Sequence, residues 1–256
     1  MNFENLLAYD HYGYAFVALV GTGVAAAAIL WLLQKSPWSR WIRSLHGVAP
    51  PFINIIGVLF GLTLAFIAND TWNAHDKATH AIYREADALR SLNLLAQKLS
   101  PPLRDQLQQA LRDVARSSAD EWPWLARRQS SQHATDCANT LLLLLASQEL
   151  AQQAGANVQA MMLKKASEMR DDRNLRIGLS QMHLNPLKWL GMAFLGFLTL
   201  LSITAVHLEN PRAARVAIIL FALSAAPTAA IMLIQGNPFQ QPSFVSAQPI
   251  LAALLP

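Results

Sequence analysis

Residues 51–92, PFINIIGVLFGLTLAFIANDTWNAHDKATHAIYREADALRSL, begin as an uncharged apolar run and end as a charged helical pattern. Residues 51–68 contain no Asp, Glu, Lys or Arg, and a helix of roughly 20 such residues crosses a bilayer core. After Gly61 neither glycine nor proline interrupts the pattern. The stretch therefore predicts a helix that crosses a membrane and continues into water.

Three further windows, 14–34, 189–208 and 216–234, are equally free of charge. The whole chain agrees with them: 53% of its 256 residues are hydrophobic and 14% charged, which excludes an ordinary soluble enzyme. The segment before the first window carries Glu4 and Asp10 and no Lys or Arg. It lacks the positive start of a secretory signal, so the window reads as a retained anchor. The expected organisation is all-α: a transmembrane hairpin over 1–69, a soluble helical domain over 70–188, a second hairpin over 189–234 and an uncharged tail over 235–256.

Within the domain the pattern predicts helices over 72–99, 103–128, 132–153 and 156–182. Ser100, Pro101 and Pro102 supply a cap and a prolyl start for the second, Pro123 kinks or ends it, and Gly155 breaks the chain before the fourth. The leucine run 141–145 is too short to cross a bilayer and reads as the buried stripe of a soluble helix, and Met161 and Met162 read as core. The prolines of the tail argue against a fifth crossing, so it packs along the domain or an interface. Lys35, Arg40 and Arg43, interleaved with Trp38 and Trp41, mark an interfacial segment between the first two spans. Bases flank the spans almost equally on the two sides and do not set the orientation.

The net charge of +4 comes from dispersed bases, better suited to anionic lipid than to nucleic acid. Cys137 is the only cysteine, which excludes an intrachain disulfide. His75 and His80, five apart, fall on different sides of a helix, so no metal site is expected. Phosphate loops, nucleophile elbows and metalloprotease motifs are absent from the sequence, and no catalytic residue or cofactor is expected.

The informative residues lie in the opening stretch. Gly57, Gly61 and Ala65 recur at steps of four, the small-residue row that lets membrane helices approach closely. Val58, Leu62 and Phe66 form the adjacent row, about 100° round the helix. Such a row either packs against lipid or core, or rings an axis as a hydrophobic constriction. Asn69 ends the span, where its amide meets a headgroup or a dehydrating ion. Beyond it Arg84, Glu85, Asp87 and Arg90 make either a solvated face with local pairs, Asp87 lying three residues from each arginine, or a vestibule that attracts ions. Glu121 lies in a packing corner with Trp122 and Trp124, and pairs with Arg127 or Arg128.

Taken together, GVLFGLTLAFIANDTW, EADAL, Glu121 with Trp122, the run Arg170, Arg173 and Arg176, NPLKW, and the late NPFQQPSFVSAQPI resemble a bacterial membrane family with a bestrophin-like domain. The second span and its extension are similar to those of bestrophin anion channels. The resemblance covers about 200 residues, and the spacing along the chain is more specific than any one motif. It implies a homo-oligomer in a bacterial inner membrane, with five subunits favoured and four or six compatible, around a pore lined by the second span. Val58, Leu62 and Phe66 would match the apolar neck, a small inorganic ion would pass, and the domain would be cytoplasmic. The region between spans two and three diverges from the bestrophin pattern, so fold transfers further than ion choice. The rival is a non-conducting membrane scaffold or sensor whose helical domain binds a partner protein.

Overall fold

The computed structural model describes residues 10–37, 50–182, 186–241 and 244–254. The interfacial segment expected around Trp38 to Arg43, and Asn185 of NPLKW, lie outside the described residues. All regular structure among the described residues is helical. The elements are α1 (Asp10–Lys35), α2 (Pro50–Ala96), α3 (Pro101–Asp120), α4 (Trp122–Ala126), α5 (Gln132–Leu145), α6 (Gln148–Ala154), α7 (Ala156–Gln181), α8 (Pro186–Val206), α9 (Pro211–Ile234) and α10 (Gln248–Ala252).

Four of these helices are long and apolar enough to cross a membrane, over Tyr12–Leu32, the start of Ile53–Ala96, Leu187–Val206 and Pro211–Ile234. Helix is the form that satisfies every backbone polar group inside a hydrocarbon layer. At 47 residues α2 is about 70 Å long, more than twice the thickness of a bilayer core. Its unbroken course follows from the lack of glycine and proline after Gly61, and it stops just before Pro101, which holds Ser100 extended.

The chain divides into two compact units, one of Met1–Trp72 with His183–Gly236 and one of Asn73–Met182 with Asn237–Pro256. In the first, α1 and α8 pack against α9. Asn210 caps α9 by accepting from Arg212 N and Ala213 N, each at 3.2 Å, and Pro211 occupies the first turn, where its missing N–H costs nothing. Alanines 225, 226, 229 and 230 are buried on α9, giving its neighbours the close approach that small residues permit. The membrane half of α2 turns Phe60, Leu64 and Ile67 toward this bundle. Phe60 meets the Phe221 ring at 5.6 Å, and a Cβ added to Gly196 would lie 3.2 Å from Phe60.

In the second unit, leucines at 103, 107 and 111 with Val114 give α3 one apolar stripe. It packs in a core with Ile82, Leu89 and Leu92 of α2, Leu141 and Leu145 of α5, and Met162 and Met169 of α7. The leucine run is therefore half in and half out: Leu141 and Leu145 are fully buried, whereas Leu143 is 75% exposed. Met162 is likewise core and its neighbour Met161 is exposed. The single helix expected over 132–153 is two, because Ser147 caps a new start by accepting from Leu150 N at 3.3 Å. Gly155, at φ 78, turns the chain from α6 into α7 in a conformation that other residues adopt only with strain. Ser100 precedes α3 without capping it; its hydroxyl instead donates to Gln153 Oε1 at 2.6 Å. Phe239, Ile250 and Ala253 of the tail enter this same core.

Candidate functional site

The row Val58, Leu62, Phe66 points away from the bundle that Phe60, Leu64 and Ile67 join. Its members are 67%, 50% and 62% exposed in the protomer. The adjacent small row is also open: Gly57 is half-buried and Gly61 and Ala65 are exposed, and a Cβ built on Gly57 or Gly61 meets nothing within 4 Å. Close packing of α2 inside the protomer is made at Phe60 on Gly196, on the far side of the helix. Both rows are left for something outside the protomer.

The same rows end in polar residues. Asn69 closes the row of Gly57, Gly61 and Ala65, and Asp70 closes that of Val58, Leu62 and Phe66, each by one further step of four. Both are exposed. Lys188 of α8 donates to Asp70 Oδ2 at 2.6 Å, an ion pair within the first unit.

Farther along α2 the four charged residues divide. Arg84 leaves Asp87 and reaches Asp172 of α7 at 2.7 Å. Burial pushes the Asp172 carboxyl above its usual range, helped by the nearby Asp171 and Glu168 carboxylates and against the pull of the Arg84 guanidinium. Asp87 and Arg90 are exposed. Glu85 is fully buried, which removes it from any water-facing vestibule. The sequence contained the sign of this: Glu85 stands three residues after Ile82 and four before Leu89, inside the apolar stripe of its helix.

Glu85 belongs to a buried cluster of two acids and two bases. Its Oε2 accepts from Arg176 Nε at 2.8 Å, and its Oε1 from Arg176 Nη2 at 3.1 Å and from Ser118 Oγ at 2.9 Å. Glu121, also fully buried, accepts from Arg173 Nη2 at 2.6 Å, from Arg173 Nε at 3.1 Å and from Ser131 N at 2.8 Å. This corrects the pairing expected with Arg127 or Arg128. Arg173 also donates to the Ser131 carbonyl and the Thr135 hydroxyl, which uses most of its fork. Arg173 and Arg176 are three apart on α7, so one helix face presents both guanidinium groups.

The tail and the short α4 close over the cluster. Arg176 lies 4.8 Å above the Trp122 ring, and Trp122 donates from Nε1 to the Val245 carbonyl at 2.6 Å. Trp122 also meets Phe239 edge to face at 5.6 Å. Asn237 donates to the Leu125 carbonyl at 3.1 Å. Only one of the two indoles is seated in this corner, since Trp124 is 44% exposed. EADAL, the Glu121–Trp122 pair, Arg173 and Arg176 of α7, and NPF thus converge from distant points of the chain, whereas Arg170 of the same run is exposed.

Elsewhere the chemistry is sparse. His133 Nε2 lies 3.8 Å from Cys137 Sγ, one turn apart on α5. Among the described residues no group of three or more His, Cys, Asp and Glu is placed to hold a metal.

The bestrophin-like domain profile matches residues 20–250. No curated protein sequence matches the chain. Crystal structures of a bacterial bestrophin homologue from Klebsiella pneumoniae, in two point-mutant forms, share the fold at a TM-score of 0.63 and 13% identity. The first covers 94% of each chain and the second 96% of each. A crystal structure described as that of a membrane protein aligns at a TM-score of 0.61 and 12% identity, over 96% of each chain. With its profile matched along nearly its whole length, this all-helical, four-span membrane protein belongs to the bestrophin-like domain family.

Proposed function

We propose that the chain is one subunit of a homo-oligomeric ion channel whose pore is lined by the membrane half of α2. The observation that supports this reading is the bareness of that half-helix: only 11% of its most apolar window is buried, the least of the four spans. Two different rows, one small and one bulky, lie side by side on its open face. A neighbouring subunit packed on Gly57, Gly61 and Ala65 turns Val58, Leu62 and Phe66 toward a common axis. One lining helix per chain encloses no pore alone, so assembly is part of the proposal, and the bestrophin likeness favours five subunits. The choice of an anion rests on that likeness too, since the row itself carries no charge. Arg84, Asp87 and Arg90 remain as the water-facing charges of the extension.

The test is current across a planar bilayer containing the purified oligomer. In the rival reading, a scaffold or sensor, the assembled protein carries none. Assembly has its own test in Gly61→Leu. Because a Cβ added there meets nothing within 4 Å inside the protomer, the substitution is expected to spare the protomer fold and to act on a neighbour. A shift of the detergent-solubilised species to smaller mass is expected, and an unchanged mass removes the small row from the interface.

The helical domain faces the cytoplasm of a bacterial inner membrane in this reading. A cysteine placed at the exposed Ser130 should stay unlabelled by a membrane-impermeant maleimide in intact cells and react after lysis. Labelling before lysis reverses the orientation.

A further inference from the structure

Asp70 continues the apolar row beyond the span, four residues past Phe66 and so about 6 Å farther along the helix. From 51 to 69 the chain has no ionised side chain, and Asn54, one turn before Val58, puts only a neutral amide at the other end of the row. Asp70 is therefore the first charge next to the bulky row. It does not stand alone, because Lys188 reaches it at 2.6 Å from the start of α8. The two side chains are 55% and 58% exposed, so water reaches both. An exposed pair of this kind adds little to stability. Its larger effect is on the local field, where a carboxylate that would otherwise face an ion carries its own counter-charge.

We propose that Lys188 is a selectivity-determining residue of this protein, cancelling the charge of Asp70 just past the Phe66 end of the Val58, Leu62, Phe66 row and so keeping a ring of acids from favouring cations there. This rests on the pore reading and deepens it. With the pair intact the mouth is neutral, and an anion leaving the apolar row meets no net repulsion. With Lys188 removed, every subunit presents an uncompensated carboxylate. With Asp70 removed, every subunit presents an uncompensated ammonium group. One unit charge about 7 Å from an ion path in water changes the local ion concentration roughly threefold.

The experiment measures the cation-to-anion permeability ratio of the purified oligomer in bilayers under a potassium chloride gradient. Lys188→Gln is expected to raise the ratio at least about ninefold, threefold through more cations and threefold through fewer anions for one charge, Asp70→Asn to lower it by a similar factor, and the double variant to return it near the wild-type value. A charge swap, Asp70→Lys with Lys188→Asp, preserves the tie between α2 and α8 and covers the case of single variants that fail to assemble. Neutral as a pair, it should also keep the ratio near the wild-type value. Conducting single variants that keep the wild-type ratio, or a conducting swap that departs from it, overturn this proposal while leaving the pore reading intact. An assembled wild-type protein without current overturns both.

Discussion

Arg176→Met lowers the melting temperature of the detergent-solubilised protein by roughly 10 °C, followed through tryptophan fluorescence. The substitution is close in volume and apolar, so it makes no large cavity. What it leaves behind is the fully buried Glu85 carboxylate, with Ser118 as its one remaining strong donor. Breaking a buried pair from one side costs about 3–5 kcal/mol, because the abandoned charge stays out of water. For a domain of this size each kcal/mol shifts the midpoint by about 2–4 °C. Replacing both partners, Glu85→Leu with Arg176→Met, should restore most of the loss, since an apolar pair of like volume needs no counter-charge. A double variant as unstable as Arg176→Met would mean that the packing of Arg176 on Trp122, and not its charge, holds the corner.

Phe66→Ala raises the current. The residue is 62% exposed in the protomer, so its loss costs the protomer fold about 0.5 kcal/mol or less, as for other surface positions. This separates the two readings more cleanly than a buried phenylalanine would. If the ring lines a dry constriction, one benzyl group per subunit keeps water out, and truncation admits it. Lowering that barrier by about 1 kcal/mol multiplies the conducting population roughly fivefold. Phe194→Ala is the control: it removes an equally exposed phenylalanine from the third span, and conduction should be unchanged. An assembled Phe66→Ala protein with wild-type current removes the neck from the account.

The helical character, the four spans and the long exit of α2 were legible in residues 51–92 and their three companion windows. They depend on local quantities: the length of an uncharged run, the absence of helix breakers and the charge that follows. The two rows of α2 were legible for the same reason, because steps of four lie on one face of any helix. What the sequence left open was the occupant of each face. Glu85 and Arg84 are neighbours of similar polarity, and only packing decides that one is sealed against Arg176 while the other reaches Asp172 from the surface. Glu121 likewise had Arg127 and Arg128 close by, yet its partner is 52 residues away, because α7 brings Arg173 to within 2.6 Å of its carboxylate. The tail's prolines excluded a further crossing but could not show that Phe239 and Val245 would close on Trp122. Periodicity fixes which residues share a side of one helix. Which sides meet, and so which charges lose their water and must find one another, is decided only when the helices pack.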